Sequence, residues 1–98
     1  MANEILIVDD ERDIRTMIAG ILADEGYETR EAWDADSALT EVGGRLPGLV
    51  LLDIWLQGSP MDGMGVLKEL VAHYPDLAVI MISGHGNIET AVQAIRQG

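Results

Sequence analysis

Two short apolar runs, each ending in a carboxylate, limit what this chain can fold into more than any other feature. Ile5-Leu6-Ile7-Val8 leads into Asp9-Asp10, and Leu49-Val50-Leu51-Leu52 leads into Asp53. Short continuous runs of Val, Ile and Leu read as strands covered on both faces, the signature of a parallel sheet. A carboxylate at the end of such a strand sits where burial is costly, so it needs a cation, hydrogen bonds or a chemical task. If the two runs are neighbouring parallel strands, three carboxylates meet at one sheet edge. There they repel one another unless a metal ion neutralises them. A divalent cation beside a nucleophilic Asp suits acceptance of a phosphoryl group.

The rest of the chain supplies what a parallel sheet needs. Glu4–Val8 reads as a first strand, and Ile14, Met17, Ile18, Ile21 and Leu22 then recur on one helical face. Gly26 suits the end of that helix. Tyr27–Trp33 is polar and weakly alternating, as in a short edge strand. Asp34 can cap a second helix that turns Ala38, Leu39 and Val42 inward and stops at Gly43-Gly44. After the buried strand Leu49–Leu52, Asp62-Gly63 opens a third helix with Val66, Leu67, Leu70 and Val71 inward, and Pro75 lies past its end. Ala78–Ile82 is the next buried strand, and Asn87 can cap a fourth helix carrying Ile88, Ala91, Val92 and Ile95. Four successive βα units imply a doubly wound α/β fold with helices on both faces and an order reversal beside the first strand. Ligands in such folds bind at the carboxyl ends of strands near that reversal, where Asp9, Asp10, Asp53 and Ser83 all fall.

Composition narrows the chemistry. Ninety-eight residues, 48% of them hydrophobic, make one domain with a core. A formal net charge of −11 argues against direct nucleic-acid binding and favours a basic partner surface or bound cations, although most of these charges read simply as a solvated acidic surface. The absence of cysteine excludes disulfides, thiolate nucleophiles and Cys-based metal sites, and is compatible with a cytoplasmic setting. No apolar run reaches bilayer-spanning length, and Met1-Ala2-Asn3-Glu4 lacks the basic start of a signal peptide.

Taken in order, Val8-Asp9-Asp10-Glu11, Asp53 after an apolar strand, Met61-Asp62-Gly63 and Ser83-Gly84 resemble the receiver domain of two-component response regulators. The resemblance extends over residues 1–98. Ser83-Gly84-His85-Gly86-Asn87 with Ala91-Val92-Gln93-Ala94-Ile95 is similar to the NtrC family of sigma-54-dependent regulators, and Asp53-Ile54-Trp55-Leu56-Gln57-Gly58-Ser59 looks like its NtrX subgroup. The resemblance implies a flavodoxin-like or CheY-like sheet of order 2-1-3-4. It implies a signalling domain rather than an enzyme acting on a separate substrate, one that takes a phosphoryl group from a sensor histidine kinase and switches a downstream transcriptional output. Asp53 would be the phospho-acceptor and Ser83 the switch hydroxyl. Asp10, Asp53 and the backbone carbonyl of Trp55 would ligate Mg²⁺, with Asp9 binding through water or assisting. Asp9 or Asp10 could also cap the following helix, and Glu11 would complement its dipole. His85 reads as exposed loop, and His73 as a cation at the end of the third helix.

The sequence departs from the family pattern in two places. Asp53 and Asp62 are nine residues apart, a stretched loop in which Gln57 stands where the family has Pro, displaced here to Pro60. The family also continues with a fifth strand, ending in a Lys that pairs with the phosphoryl group, and a fifth helix. Lys68, the single lysine, lies on the third helix, so the expectation is a C-terminally truncated receiver lacking the fifth βα unit. Its fourth strand would then be an exposed apolar edge, covered in a homodimer or an element-exchanged oligomer. The alternative function is a phosphate-independent docking or dimerisation module. A nucleotide-binding domain is disfavoured because no G-x-G-x-x-G follows the first strand and no Gly-Lys-Ser/Thr exists. A haloacid-dehalogenase-like phosphatase would want an Asp where Trp55 stands.

Overall fold

The computed structural model describes residues 4–54, 56 and 63–82. Their elements run β1 (Glu4–Val8), α1 (Arg12–Asp24), β2 (Glu28–Ala32), α2 (Ala35–Gly44), β3 (Leu49–Asp53), α3 (Gly63–His73) and β4 (Ala78–Ile82). All pairings are parallel, and the strand order is β2-β1-β3-β4, as expected from the sequence. The expected helix from Asn87, together with Trp55, Gln57, Pro60, Asp62, Ser83 and His85, lies outside the described residues.

Strand geometry explains the unbroken apolar runs. Successive side chains point to opposite faces, so a strand covered on both sides needs apolar residues at every position. Ile5 and Ile7 of β1 pack with Leu51, Ile18 and Leu22 in the layer beneath α1. Leu6 and Val8 pack with Val50, Leu52 and the α2 and α3 residues Ala38, Val42, Val66 and Leu70 on the other face. Each buried Leu, Ile or Val contributes on the order of 1.5–3 kcal/mol by leaving water. The chain therefore winds one crossover over one face and the next two over the other, with the reversal between β1 and β3.

Local signals set the helix ends. Asp34 accepts from the Ser37 backbone N–H at 2.8 Å, and the Ser37 hydroxyl accepts from Asp34 N at 3.1 Å, a reciprocal cap at the start of α2. The Ser37 N–H, then the Ser37 side chain, hold the Asp34 carboxyl below its ordinary value of 3.8. After α1, Gly26 takes φ +93°, a left-handed conformation that glycine adopts without a Cβ penalty. The polar strand β2 lies at a sheet edge, spanning Glu28–Ala32 within the expected Tyr27–Trp33. Arg30 on β2 donates to Glu41 Oε1 and to the Glu41 carbonyl, each at 3.0 Å, and pairs with Glu4 at 3.2 Å. That joins β1, β2 and the end of α2.

The expected buried strand Ala78–Ile82 is buried only at Ile82: β4 ends the described sheet, with Ala78 exposed and Val79, Ile80 and Met81 half-buried. Two helix residues expected inward are also out of the core. Met17 is 45% and Val71 55% exposed. Ile18 with Leu22, and Val66 with Leu70, are four residues apart and form the lines that meet the sheet. Met17 and Val71 are each one residue, or about 100°, off those lines, so the covered stripe is narrower than the apolar one. Among the described residues, no helix is long and apolar enough to cross a membrane.

Candidate functional site

Strand register brings the acids together. Val8 of β1 is the partner of Leu52 of β3, so the residues that follow them, Asp9 and Asp53, emerge side by side at the carboxyl end of the sheet. Asp9, Asp10 and Asp53 each present a carboxylate oxygen, and these oxygens lie within 4.8 Å of one another. Asp9 is fully buried and Asp53 is 6% exposed, while Asp10 is half-buried and opens the cluster toward solvent. The cluster sits at the order reversal between β1 and β3, where doubly wound sheets bind ligands.

The backbone around the acids is held tightly. Asp9 Oδ1 accepts the Glu11 N–H at 2.8 Å, which turns the chain into α1, and Asp9 N donates to the Ala32 carbonyl at 3.1 Å. Asp9 thus serves the turn before α1 as well as the cluster. Glu11 occupies the N-cap itself, makes no side-chain cap hydrogen bond, and leaves Asp13 as the acid of the first turn. Beyond Asp53, Ile54 N donates to the Ile82 carbonyl at 3.0 Å and Gly63 N donates to the Ile54 carbonyl at 3.1 Å. Gly63 packs so closely that a Cβ there would press on the Asp53 carbonyl oxygen and fall 2.7 Å from Ile54 Cα and 2.9 Å from Ile54 O. The backbone at Asp53 is therefore clasped between β4 and the first residue of α3.

Three carboxylates this close repel. At an effective dielectric near 20, each pair at this separation costs about 3–4 kcal/mol when both members are ionised. The donor set is all oxygen, which suits a hard divalent cation that keeps water or phosphate ligands on its open side. Mg²⁺ fits these residues. His73 lies apart, on the last turn of α3, where its Nδ1–H donates to the Glu69 carbonyl at 2.9 Å, in keeping with the helix-end position expected for it. Sequence reasoning placed Asp9, Asp10 and Asp53 together, but missed the close approach of Gly63 and a guanidinium, Arg15, against the Asp9 carbonyl. The Met61-Asp62-Gly63 motif was the available signal for the first; nothing local marks the second. Ser83 and Trp55 lie outside the described residues.

Residues 5–98 match the family described as response regulator receiver domain. The nitrogen assimilation regulatory protein NtrX of Azorhizobium caulinodans is 59% identical over 98 residues, which are 100% of this chain and 22% of that protein. The crystal structure of the receiver domain of NtrX from Brucella abortus superposes with a TM-score of 0.80 at 65% identity, covering 96% of this chain and 78% of that one. The response regulator protein TrrA from Thermotoga maritima, crystallised in complex with Mg²⁺-BeF, gives a TM-score of 0.77 at 33% identity, covering 83% of this chain and 69% of that one. The chain spans about a fifth of the length of the curated relatives it matches.

Proposed function

The chain belongs to the response regulator receiver domain family, and from that premise we propose that residues 1–98 form a receiver whose Asp53 accepts a phosphoryl group from a sensor histidine kinase. One observation carries the reading: the β1–β3 register gathers Asp9, Asp10 and Asp53 within 4.8 Å at the strand ends. The Asp53 carboxylate oxygen attacks phosphorus, the P–N bond to the kinase imidazole breaks, and the imidazole nitrogen leaves with that electron pair. The product is an acyl phosphate on Asp53. Asp10 and Asp53, with the backbone carbonyl of Trp55, would hold Mg²⁺ directly, and Asp9 would do so through water. When bound, Mg²⁺ neutralises the clustered carboxylates and the incoming phosphoryl oxygens. TrrA, crystallised with Mg²⁺-BeF, supports this choice of ion.

The Ser83 hydroxyl then donates to the new phosphoryl oxygens and moves the loop that follows it. Bound phosphate biases an existing equilibrium between two receiver conformations, and the output passes to sigma-54-dependent transcription, in the cytoplasm. The similarity to the nitrogen assimilation regulatory protein NtrX supports a regulatory output. Self-association belongs to the same reading. Among the described residues β4 pairs only with β3, and a second copy adding to that edge would cover the half-buried Val79, Ile80 and Met81.

The test is the intact mass of the chain after incubation with acetyl phosphate, with and without Mg²⁺, for the wild type and Asp53→Asn. A Mg²⁺-dependent phosphoryl adduct on the wild type alone is expected. No adduct on either protein would refute the phospho-acceptor reading for this chain and favour a docking module.

A further inference from the structure

Arg15, in the first turns of α1, is tied to the acidic cluster through the backbone. Its Nη1 donates to the Asp9 carbonyl at 2.8 Å, and its Nε donates to Glu31 Oε1 on β2 at 3.0 Å. The Arg15 side chain is only 12% exposed, and its bond to the Asp9 carbonyl is partly shielded from water, whereas Glu31 is 41% exposed. The Asp9 carbonyl belongs to the peptide unit that carries the nitrogen and Cα of Asp10. That unit is planar, so holding its oxygen sets where the Asp10 side chain begins. On the other side of the same turn, Asp9 Oδ1 holds the Glu11 N–H at 2.8 Å. The turn bearing Asp10 is thereby pinned at both ends, once by Asp9 itself and once by Arg15, which Glu31 anchors from the sheet edge.

We propose that Arg15, anchored by Glu31, is a positioning residue that fixes the Asp9–Asp10 peptide plane and thereby sets the affinity of the acidic cluster for Mg²⁺. The inference rests on the metal reading given under the proposed function. It makes a prediction whose sign separates it from simple electrostatics. A positive charge beside a cation site repels the cation, so if charge alone mattered, removing Arg15 would tighten Mg²⁺ binding. If Arg15 positions the ligands, its removal weakens binding, as loss of partners behind metal ligands commonly does by 10–100-fold.

The experiment is Mg²⁺ titration of the 98-residue chain, followed by backbone amide shifts at Asp10 and Asp53, for the wild type, Arg15→Met, Arg15→Lys, Glu31→Gln and Asp53→Asn. Arg15→Met is expected to raise the Mg²⁺ Kd about 10-fold. Arg15→Lys, which keeps the charge but not the two-pronged donor, should fall between it and the wild type, and Glu31→Gln should shift Kd in the same direction. Without metal, amide exchange at Asp10 and Glu11 should quicken in Arg15→Met, while Ala38 in α2 is unchanged. Unchanged or tighter Mg²⁺ binding by Arg15→Met would overturn the inference alone. Wild-type chain that binds no Mg²⁺ in a manner abolished by Asp53→Asn would overturn the metal reading, and this inference with it. If Arg15→Met does not fold, Arg15→Lys and Glu31→Gln decide, and wild-type affinity in both refutes the positioning role.

Discussion

Gly63→Ala should be among the most damaging single-methyl additions this fold can receive. The added Cβ would press on the Asp53 carbonyl oxygen and fall 2.7 Å from Ile54 Cα and 2.9 Å from Ile54 O. These are backbone atoms, held on their far side by the Ile54 N–H to Ile82 carbonyl bond of 3.0 Å, so no rotamer change relieves the contact. Forcing a methyl into packed surroundings costs about 1–3 kcal/mol, and rigid neighbours place this site at about 3 kcal/mol. If α3 backs away instead, the 3.1 Å bond from Gly63 N to Ile54 O stretches, at a cost of about 1 kcal/mol. For a chain of 98 residues, each kcal/mol moves Tm by roughly 4–8 °C, so a fall of about 12–24 °C is expected in a circular-dichroism melt. Gly20→Ala is the internal control. Gly20 is exposed within α1, and a Cβ there meets nothing within 4 Å. The same substitution should therefore stabilise by about 0.5–1 kcal/mol through helix propensity. A Gly63→Ala protein melting within about 2 °C of the wild type would show that β3 and α3 do not approach as described, since even 1 kcal/mol exceeds that margin.

Arg30→Met should cost about 2–3 kcal/mol in urea unfolding, because it strips the 12%-exposed Glu4 side chain and the Glu41 carbonyl of a donor that is itself only 16% exposed. Arg45→Ala, on the same Glu4 but 69% exposed, should cost about 0.5 kcal/mol, most of it lost in high salt. Equal effects of the two would refute the ranking by burial. For Asp34, the folded carboxyl titrates below its ordinary 3.8. Its charged cap therefore stabilises the fold fully above that value and loses its effect as pH falls through the lower folded value. The stability gap between wild type and Asp34→Asn should be constant from pH 7 to about 5 and shift toward the variant below pH 3.8. A gap that does not change with pH would show that the charge of Asp34 plays no part.

Features carried by neighbours in the chain were legible before any coordinates. The runs ending at Val8 and Leu52 announced strands buried on both faces, and Asp34 announced a helix start. Three acids falling at strand ends in a βα series announced their own convergence. The receiver resemblance, with its NtrX character, agrees with the relatives found. The width of the buried stripes was less legible: apolar periodicity shows which way a helix faces, not how far its partner wraps around it, so Met17 and Val71 were assigned inward and are exposed.

The sequence by itself determined the element order, the doubly wound class and the acids at the strand ends, because each follows from local periodicity and from the few ways βα units can connect. Tertiary structure alone decided which distant groups meet. Arg15 reaches Glu31 across 16 positions, and Arg45 reaches Glu4 across 41. Gly63 closes against Asp53 and Ile54 only because α3 docks on that face of the sheet. Such pairings depend on register and on the docking of whole elements. A change of one residue in strand register would turn Asp53 to the opposite face and part it from Asp9, leaving the same acids in the chain but no cluster.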